Sequence, residues 1–386
     1  MADSAVRAGF AVTTIDAFAD RDMPSAVTVL SLPRERGVSF SPQAAARAAT
    51  HVPCEAVAYA SNFENHPDAV DALAVGRTLW GNPPSVLRRV RDPWQLADAL
   101  RRRGIPAPVV RMHGSNGPND SIGLDHSSAA DPNEPNSSSV PIDWLVKPLS
   151  SGGGHGVRRW TGERLSSSNY LQQRVQGVPG SLVFVAAGGR AVPLGMSRQL
   201  IGDRAFGADG YRYCGNILAP AGDRQFEQDE ALVDAASGLA RAAAEDFSLV
   251  GLNGIDFVAA DGVPHPIEVN PRWCASMELV ECAYGVSMFG AHVVACVRET
   301  VPVFDLATAR REAQAVGKAI VFAHRDVTMG DVRLWLDDPT VRDVPHAGEP
   351  IATGQPICTV LAHGTDSAVC YAALVRRAER VYAALG

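Results

Sequence analysis

The sequence predicts an α/β protein of two or three domains, and three observations carry that prediction. Its 386 residues exceed what one ordinary hydrophobic core holds. Residues 1–85 alternate helical and extended patterns, as a parallel sheet with crossover helices requires. Two apolar strands then meet at Asp261-Gly262, a hairpin signal that brings antiparallel pairing into the second half.

Composition narrows the class. With 46% hydrophobic and 20% charged residues, the chain has the balance of a soluble globular protein. A formal net charge of −7 argues against nucleic-acid binding, which needs a basic face. The seven cysteines are scattered, and no pair has C-x-x-C spacing, so reduced thiols in the cytoplasm are expected. No apolar run reaches the roughly 18 residues of a membrane span. The N-terminal residues lack a signal-peptide core.

In chain order, residues 4–9 read as the end of a helix with Gly9 as its cap. Residues 10–15 are an apolar strand, 43–51 a helix, 56–60 a strand and 68–78 a helix. Asp92 caps an amphipathic helix to residue 103, with Pro93 at its first position and Gly104 stopping it. Residues 114–139 are Ser, Asn, Asp, Gly and Pro with almost no large apolar side chain, so a disordered surface insertion is expected. Strands follow at 144–148, 170–176 and 180–186, then an Ala-rich helix at 226–247. The hairpin strands are 251–260 and 266–270. A helix at 287–299, short strands over 318–362 and a final helix at 368–385 complete the chain, and no internal repeat is present.

The hairpin carries the strongest chemistry. Side chains alternate across a strand, so Asp256 shares a face with Val258, and Glu268 shares one with Asn270. A turn centred near Gly262 puts Asp256 opposite Glu268. Like charges facing each other are unfavourable in a sheet, and a cation removes that penalty. Two carboxylates and an amide oxygen suit Mg²⁺. Alone, such a pair is more often a solvated acidic hairpin. Asn270-Pro271-Arg272 shifts the reading, because Pro271 pins the chain and Arg272 adds a planar cation for phosphate or carboxylate oxygens.

Residues 150–156 hold four glycines in seven, a loop whose N–H groups can wrap an anion. It is neither a Walker A loop nor a dinucleotide fingerprint. Lys147, on an otherwise apolar strand just before it, needs an anionic partner or an exposed edge. Residues 170–175 could line an adenine pocket, but alone such a stretch is more often ordinary sheet.

Together these pieces resemble the ATP-grasp superfamily. The matching order is Lys147-Pro148, the glycine-rich loop, the Gln172–Val175 hinge, Gly254–Val258 and Ile267–Arg272, spread over residues 90–300. Within the superfamily, the chain is similar to predicted ATP-dependent carboligases related to biotin carboxylase. The resemblance implies an α/β (α+β ATP-grasp) fold in three parts. A Rossmann-like pre-ATP-grasp domain would span 1–88. The ATP-grasp module would span 89–317, with a small lobe at 89–177 and a large lobe at 178–317. A β-rich region with a final helix would occupy 318–386. Because the chain opens inside what reads as the first helix of that N-terminal domain, its sheet is expected to lack a first central strand.

The resemblance also implies residue roles. Lys147 contacts the nucleotide phosphates, and Ser150, Ser151, Gly152, Gly153, Gly154 and His155 close over them. Gln173, Arg174 and Val175 line the adenine and ribose pocket, at a hinge where many members carry an acidic residue. Asp256, Glu268 and Asn270 hold one or two Mg²⁺ ions, with Mn²⁺ able to substitute. Arg272 is the catalytic cation that steadies the acyl phosphate. Glu64, Arg198 and Asn216 are candidate substrate contacts, with Tyr213 beside them.

The implied reaction is ATP-dependent activation of a small-molecule carboxylate as an acyl phosphate, attacked by an amine. Small-molecule or cofactor biosynthesis would be its setting, with a one-carbon pterin or furan cofactor as one product. A homodimer is expected, with no nucleic-acid or membrane partner. Two alternatives stand beside it: an ATP-dependent carboxylase using bicarbonate, and a nucleotide-binding regulatory protein without turnover.

Overall fold

The computed structural model describes residues 1–112 and 142–385. The expected insertion at 114–139 lies outside the described residues.

An eight-stranded antiparallel sheet dominates the fold. Its order is Val263–Asn270, Gly251–Ala260, Val178–Ala187, Arg190–Ile201, Tyr213–Leu218, Ala315–Phe322, Pro356–Gly364 and Val341–Arg342. The Asp229–Phe247 helix covers one face of its first strands, packing Leu232, Leu239 and Phe247 against Phe184, Ile255 and Phe257. On the opposite face Leu252, Val183 and Val185 pack on the Met277–Tyr284 and Met288–Arg298 helices. The Ser367–Ala384 helix covers the far strands through Leu374, Ala378 and Val381. The expected boundary after residue 317 falls inside the Ala315–Phe322 strand, which is paired on both edges. The sheet therefore continues through residue 317 without a break.

A separate four-stranded sheet, ordered Val110–Arg111, Asn169–Gln173, Trp144–Pro148 and Arg158–Arg159, stands across from the hairpin. Trp144 and Val146 point into its core, so alternation turns Leu145 and Lys147 the other way. The Pro93–Arg102 helix leads into it, and Asp92 accepts hydrogen bonds from Trp94 N (2.9 Å) and Gln95 N (3.0 Å), as its N-cap signature predicts.

In the N-terminal region Val12–Asp16 pairs in parallel with Val27–Ser31, and Ala56–Ala58 pairs in parallel with Thr78–Trp80. Among the described residues no strand joins the two pairs. The helix expected at 68–78 is shorter. It ends at Ala74, and Gly76 at φ +72° turns the chain into a strand at Thr78. The apolar residues Leu79 and Trp80 fit either period, and the glycine decides.

The N-terminal region is clasped to the C-terminal one. Asp22 accepts from Asp343 N (3.2 Å) and Val344 N (2.8 Å), His346 Nε2 meets the Ala19 carbonyl (2.8 Å), and Arg34 pairs with Glu349. Within this clasp, burial and then the charges of Asp343, Asp16, Asp22 and Glu349 push the Asp20 carboxyl up to about 8. A carboxyl raised on folding binds a proton more tightly in the native state, so its contribution is lost as pH rises from 3.8 to about 8. Asp20→Asn removes that loss. Its thermal midpoint is expected to rise relative to the parent chain progressively across this window. A midpoint difference independent of pH refutes the assignment.

Candidate active site

The hairpin turns at Asp261 and Gly262, both at positive φ (+52° and +76°), the backbone that a two-residue Asp-Gly loop requires. Such a turn by itself would put Asp256 opposite Ile267. A bulge between Asp256 and Phe257 leaves Ile267 without a partner and moves Asp256 opposite Glu268. The bulge thus brings the two carboxylates to one face, while Ile255, Phe257 and Val269 stay in the core.

Asn270 closes this group. Its Nδ2 donates to Asp256 Oδ2 (2.9 Å) and Glu268 Oε1 (3.4 Å), standing between two anions where a cation would sit. Burial and then the facing Glu268 charge push Asp256 above the usual carboxylate range. Burial alone would raise Glu268 too, but Arg91, Lys147 and Arg272 hold it below that range. Among the described residues no three His, Cys, Asp or Glu side chains cluster as a metal site. The hairpin offers two carboxylates and one amide, a hard-oxygen set that fits a cation bound jointly with phosphate oxygens.

A cavity of about 590 Å³ lies between the hairpin and the four-stranded sheet. Lys147, Gln172, Gln173, Arg174 and Val175 line one wall, and Asp256, Glu268, Asn270 and Arg272 line the other. Lys147 Nζ donates to Gln172 Oε1 (3.1 Å), and Gln172, itself buried, donates to the Ile267 carbonyl (3.3 Å). One amide therefore ties the lysine strand to the hairpin. Arg174 pairs with Asp143 (3.0 Å), and the Gln173 amide oxygen accepts from Val109 N (3.2 Å).

Ser151, Gly152, Gly153 and Gly154 also line the cavity, whereas Ser150 and His155 are not among its lining residues. Ser151 Oγ donates instead to the His155 carbonyl (2.7 Å), closing the loop on itself. The loop is docked on the Tyr213–Leu218 strand, because Tyr213 N donates to the Gly153 carbonyl (3.0 Å). Gly154 sits at φ +75°, and a Cβ there would lie 1.8 Å from the Tyr211 carbonyl oxygen, so glycine is required.

The substrate candidates divide. Tyr213 and Asn216 line the cavity, with Tyr213 donating to Asn216 Oδ1 and Asn216 to Ser197 Oγ (2.9 Å). Arg198 lies outside the lining, and its neighbour Gln199 lines the wall. Strand alternation explains the exchange, since Arg198 shares the face of Leu200 and Ile217, under the Ser367–Ala384 helix. Glu64 is also outside the lining. It is 1% exposed and pairs with Arg272 at 2.7 Å. All five N–H groups of Arg272 are engaged, by Glu64, the Asn270 side chain, the Trp273 carbonyl and Cys274 Sγ. As found, Arg272 fixes Asn270 and joins the hairpin to the N-terminal region.

Sequence reasoning missed Arg91, and it placed Gln172 only in a hinge strand, without its bond to Lys147. Alternation from Lys147 and its partner strand could have found that bond. Arg91, following the Pro84–Val90 helix, carries no local signal.

The ATP-grasp domain family matches residues 90–276. No curated protein sequence matches the chain significantly. Among solved structures, a biotin carboxylase–β,γ-ATP complex from Campylobacter jejuni has a TM-score of 0.66 at 12% identity, covering 96% of this chain and 86% of that one. An L-amino acid ligase from Bacillus licheniformis has a TM-score of 0.63 at 16% identity, covering 98% and 93%. The biotin carboxylase domain of a Hydrogenobacter thermophilus 2-oxoglutarate carboxylase, solved with MgADP, ADP and bicarbonate, has a TM-score of 0.66 at 13% identity, covering 99% and 85%. Identities this low establish a common fold, and the domain match falls on the residues that enclose the cavity. The chain carries an ATP-grasp domain over residues 90–276.

Proposed function

We propose that the chain is an ATP- and Mg²⁺-dependent ligase that activates a small-molecule carboxylate as an acyl phosphate and joins it to an amine. One observation carries the reading: Lys147 and the Asp256–Glu268 pair face the same cavity closely enough that the lysine helps hold Glu268 ionised. A triphosphate between them would meet a cation on one side and cation-holding carboxylates on the other, with the glycine loop above. The metal, held by Asp256, Glu268 and Asn270, would supply charge neutralisation between phosphate oxygens. The protein's own part is placement. Leu145, Val175, Pro179 and Val258 offer an apolar berth for a base, and Tyr213 and Asn216 are polar lining groups for the acid.

The chemistry asks for no nucleophilic side chain. One acid oxygen attacks the γ-phosphorus and ADP leaves. The amine then attacks the acyl carbon and phosphate leaves. Free cysteines fit a cytoplasmic setting, and among the described residues no single helix is long and apolar enough to cross a membrane. A product in cofactor biosynthesis belongs to this proposal.

The test is ADP release across a matrix of carboxylates and amines with Mg²⁺. ADP formation that requires both an acid and an amine supports the ligase. ADP formation with bicarbonate and no amine replaces it with a carboxylase. Tight nucleotide binding without ADP under every condition replaces it with a regulatory binder.

A further inference from the structure

Arg91 makes more connections within the cavity than its sequence suggests. It caps the Pro84–Val90 helix, and its side chain is 13% exposed. Its guanidinium donates to Asn65 Oδ1 (3.0 and 3.2 Å), Glu268 Oε2 (3.3 Å), the Val269 carbonyl (3.1 Å) and the Ser151 carbonyl (3.3 Å). These acceptors come from the N-terminal region, the hairpin and the glycine loop. Asn65 Nδ2 donates to the same Ser151 carbonyl (3.3 Å), so two donors from outside the loop hold it down.

The pattern on Glu268 is informative. Arg91 takes its Oε2, and the Asn270 amide takes its Oε1. Asp256 Oδ2 is taken by the same amide. Each carboxylate therefore has an N–H group where a metal ion would approach, and Arg91 supplies the full positive charge. We propose, resting on the functional reading above, that Arg91 is a positioning residue that stands in for the metal. Without ligand it neutralises Glu268 and clips the glycine loop to the hairpin. When Mg²⁺-ATP enters, it yields Glu268 to the ion and turns its donors to the triphosphate. Loop closure and metal-site assembly are then coupled through one side chain.

This predicts effects of opposite sign, which a plain structural brace does not. Arg91→Gln removes the competitor for Glu268, so Mn²⁺ alone, titrated by electron paramagnetic resonance into the nucleotide-free protein, binds roughly threefold tighter or more. The same variant loses a charged phosphate donor, so a non-hydrolysable ATP analogue with Mg²⁺ binds about tenfold weaker or more by calorimetry. Limited proteolysis of the unliganded variant cuts residues 150–156 faster. Arg91→Lys keeps the charge but cannot reach all the acceptors, so it retains the weak Mn²⁺ affinity of the parent and loses the loop protection. Thermal midpoints check that both variants fold.

Mn²⁺ and nucleotide affinities falling together in Arg91→Gln would overturn the proposal and leave the site reading intact. So would an unchanged nucleotide affinity. A parent chain that binds neither Mn²⁺ nor nucleotide would remove the site reading and this proposal with it.

Discussion

Glu268→Gln is expected to lower Mg²⁺-dependent ADP formation on the order of 100-fold or more, with the fold intact. The substitution keeps the shape and removes one charge. In the parent chain Glu268 is the anion on which Arg91, Lys147 and Arg272 converge. Neutralising it leaves those cations uncompensated and takes a hard anionic oxygen from the proposed metal set. Charge-assisted contacts are roughly twice as strong as neutral ones, so an amide does not replace it. The loss should fall on kcat and on the metal requirement, because the apolar end of the cavity is untouched. A variant with parental turnover at saturating Mg²⁺ would remove Glu268 from the metal set. The side chain is only half-buried on the cavity face, so the fold is expected to survive, and an unchanged thermal midpoint checks the point.

Much of this site was legible in the sequence because strand alternation and a two-residue turn are local rules. Asp256, Glu268 and Asn270 converge, and Lys147 turns away from Trp144 and Val146 toward them. Even so, the alignment of Asp256 with Glu268 depends on a bulge at Ile267, which Pro266 and Pro271 flank but no local pattern announces. Arg198 and Gln199 show the limit of the method: both polar residues fit a cavity wall, and only the phase of their strand decides between them. The N-terminal region was partly read. Three of its helices and two of its strands followed from periodicity, but the Leu32–Arg36 and Pro84–Val90 helices and the Val27–Ser31 and Thr78–Trp80 strands were not read. Residues gathered from distant segments had no signal at all. Arg91 faces Asn65, Ser151 and Glu268, which the fold alone brings together.

The same applies to Asn82, whose substitution carries the largest expected cost to stability. It is fully buried where the N-terminal region meets the hairpin base. Its Nδ2 donates to Asn253 Oδ1 (2.8 Å) and the Pro271 carbonyl (3.1 Å), and its Oδ1 accepts from Val250 N (2.8 Å). Tyr59 Oη donates to the Asn82 carbonyl (2.7 Å) and reaches Pro271 (3.4 Å). Pro271 lies between Asn270 and Arg272, so this network anchors the end of the hairpin to the N-terminal region. Asn82→Ala strands the Val250 N–H and Asn253 Oδ1 without water, at about 1–3 kcal/mol each. A total near 3 kcal/mol is a large share of the roughly 5–15 kcal/mol that holds a domain together. The expected result is a lower urea midpoint with an unchanged slope, and weaker metal binding as the hairpin end loses its anchor. Asn253→Ala separates this from simple loss of packing. If the Asn82–Asn253 bond contributes as argued, the double variant loses clearly less than the sum of the singles. Strictly additive losses would mean that each amide acts through other partners, and the anchor would then rest on the bonds that Asn82 and Tyr59 each make to the Pro271 carbonyl.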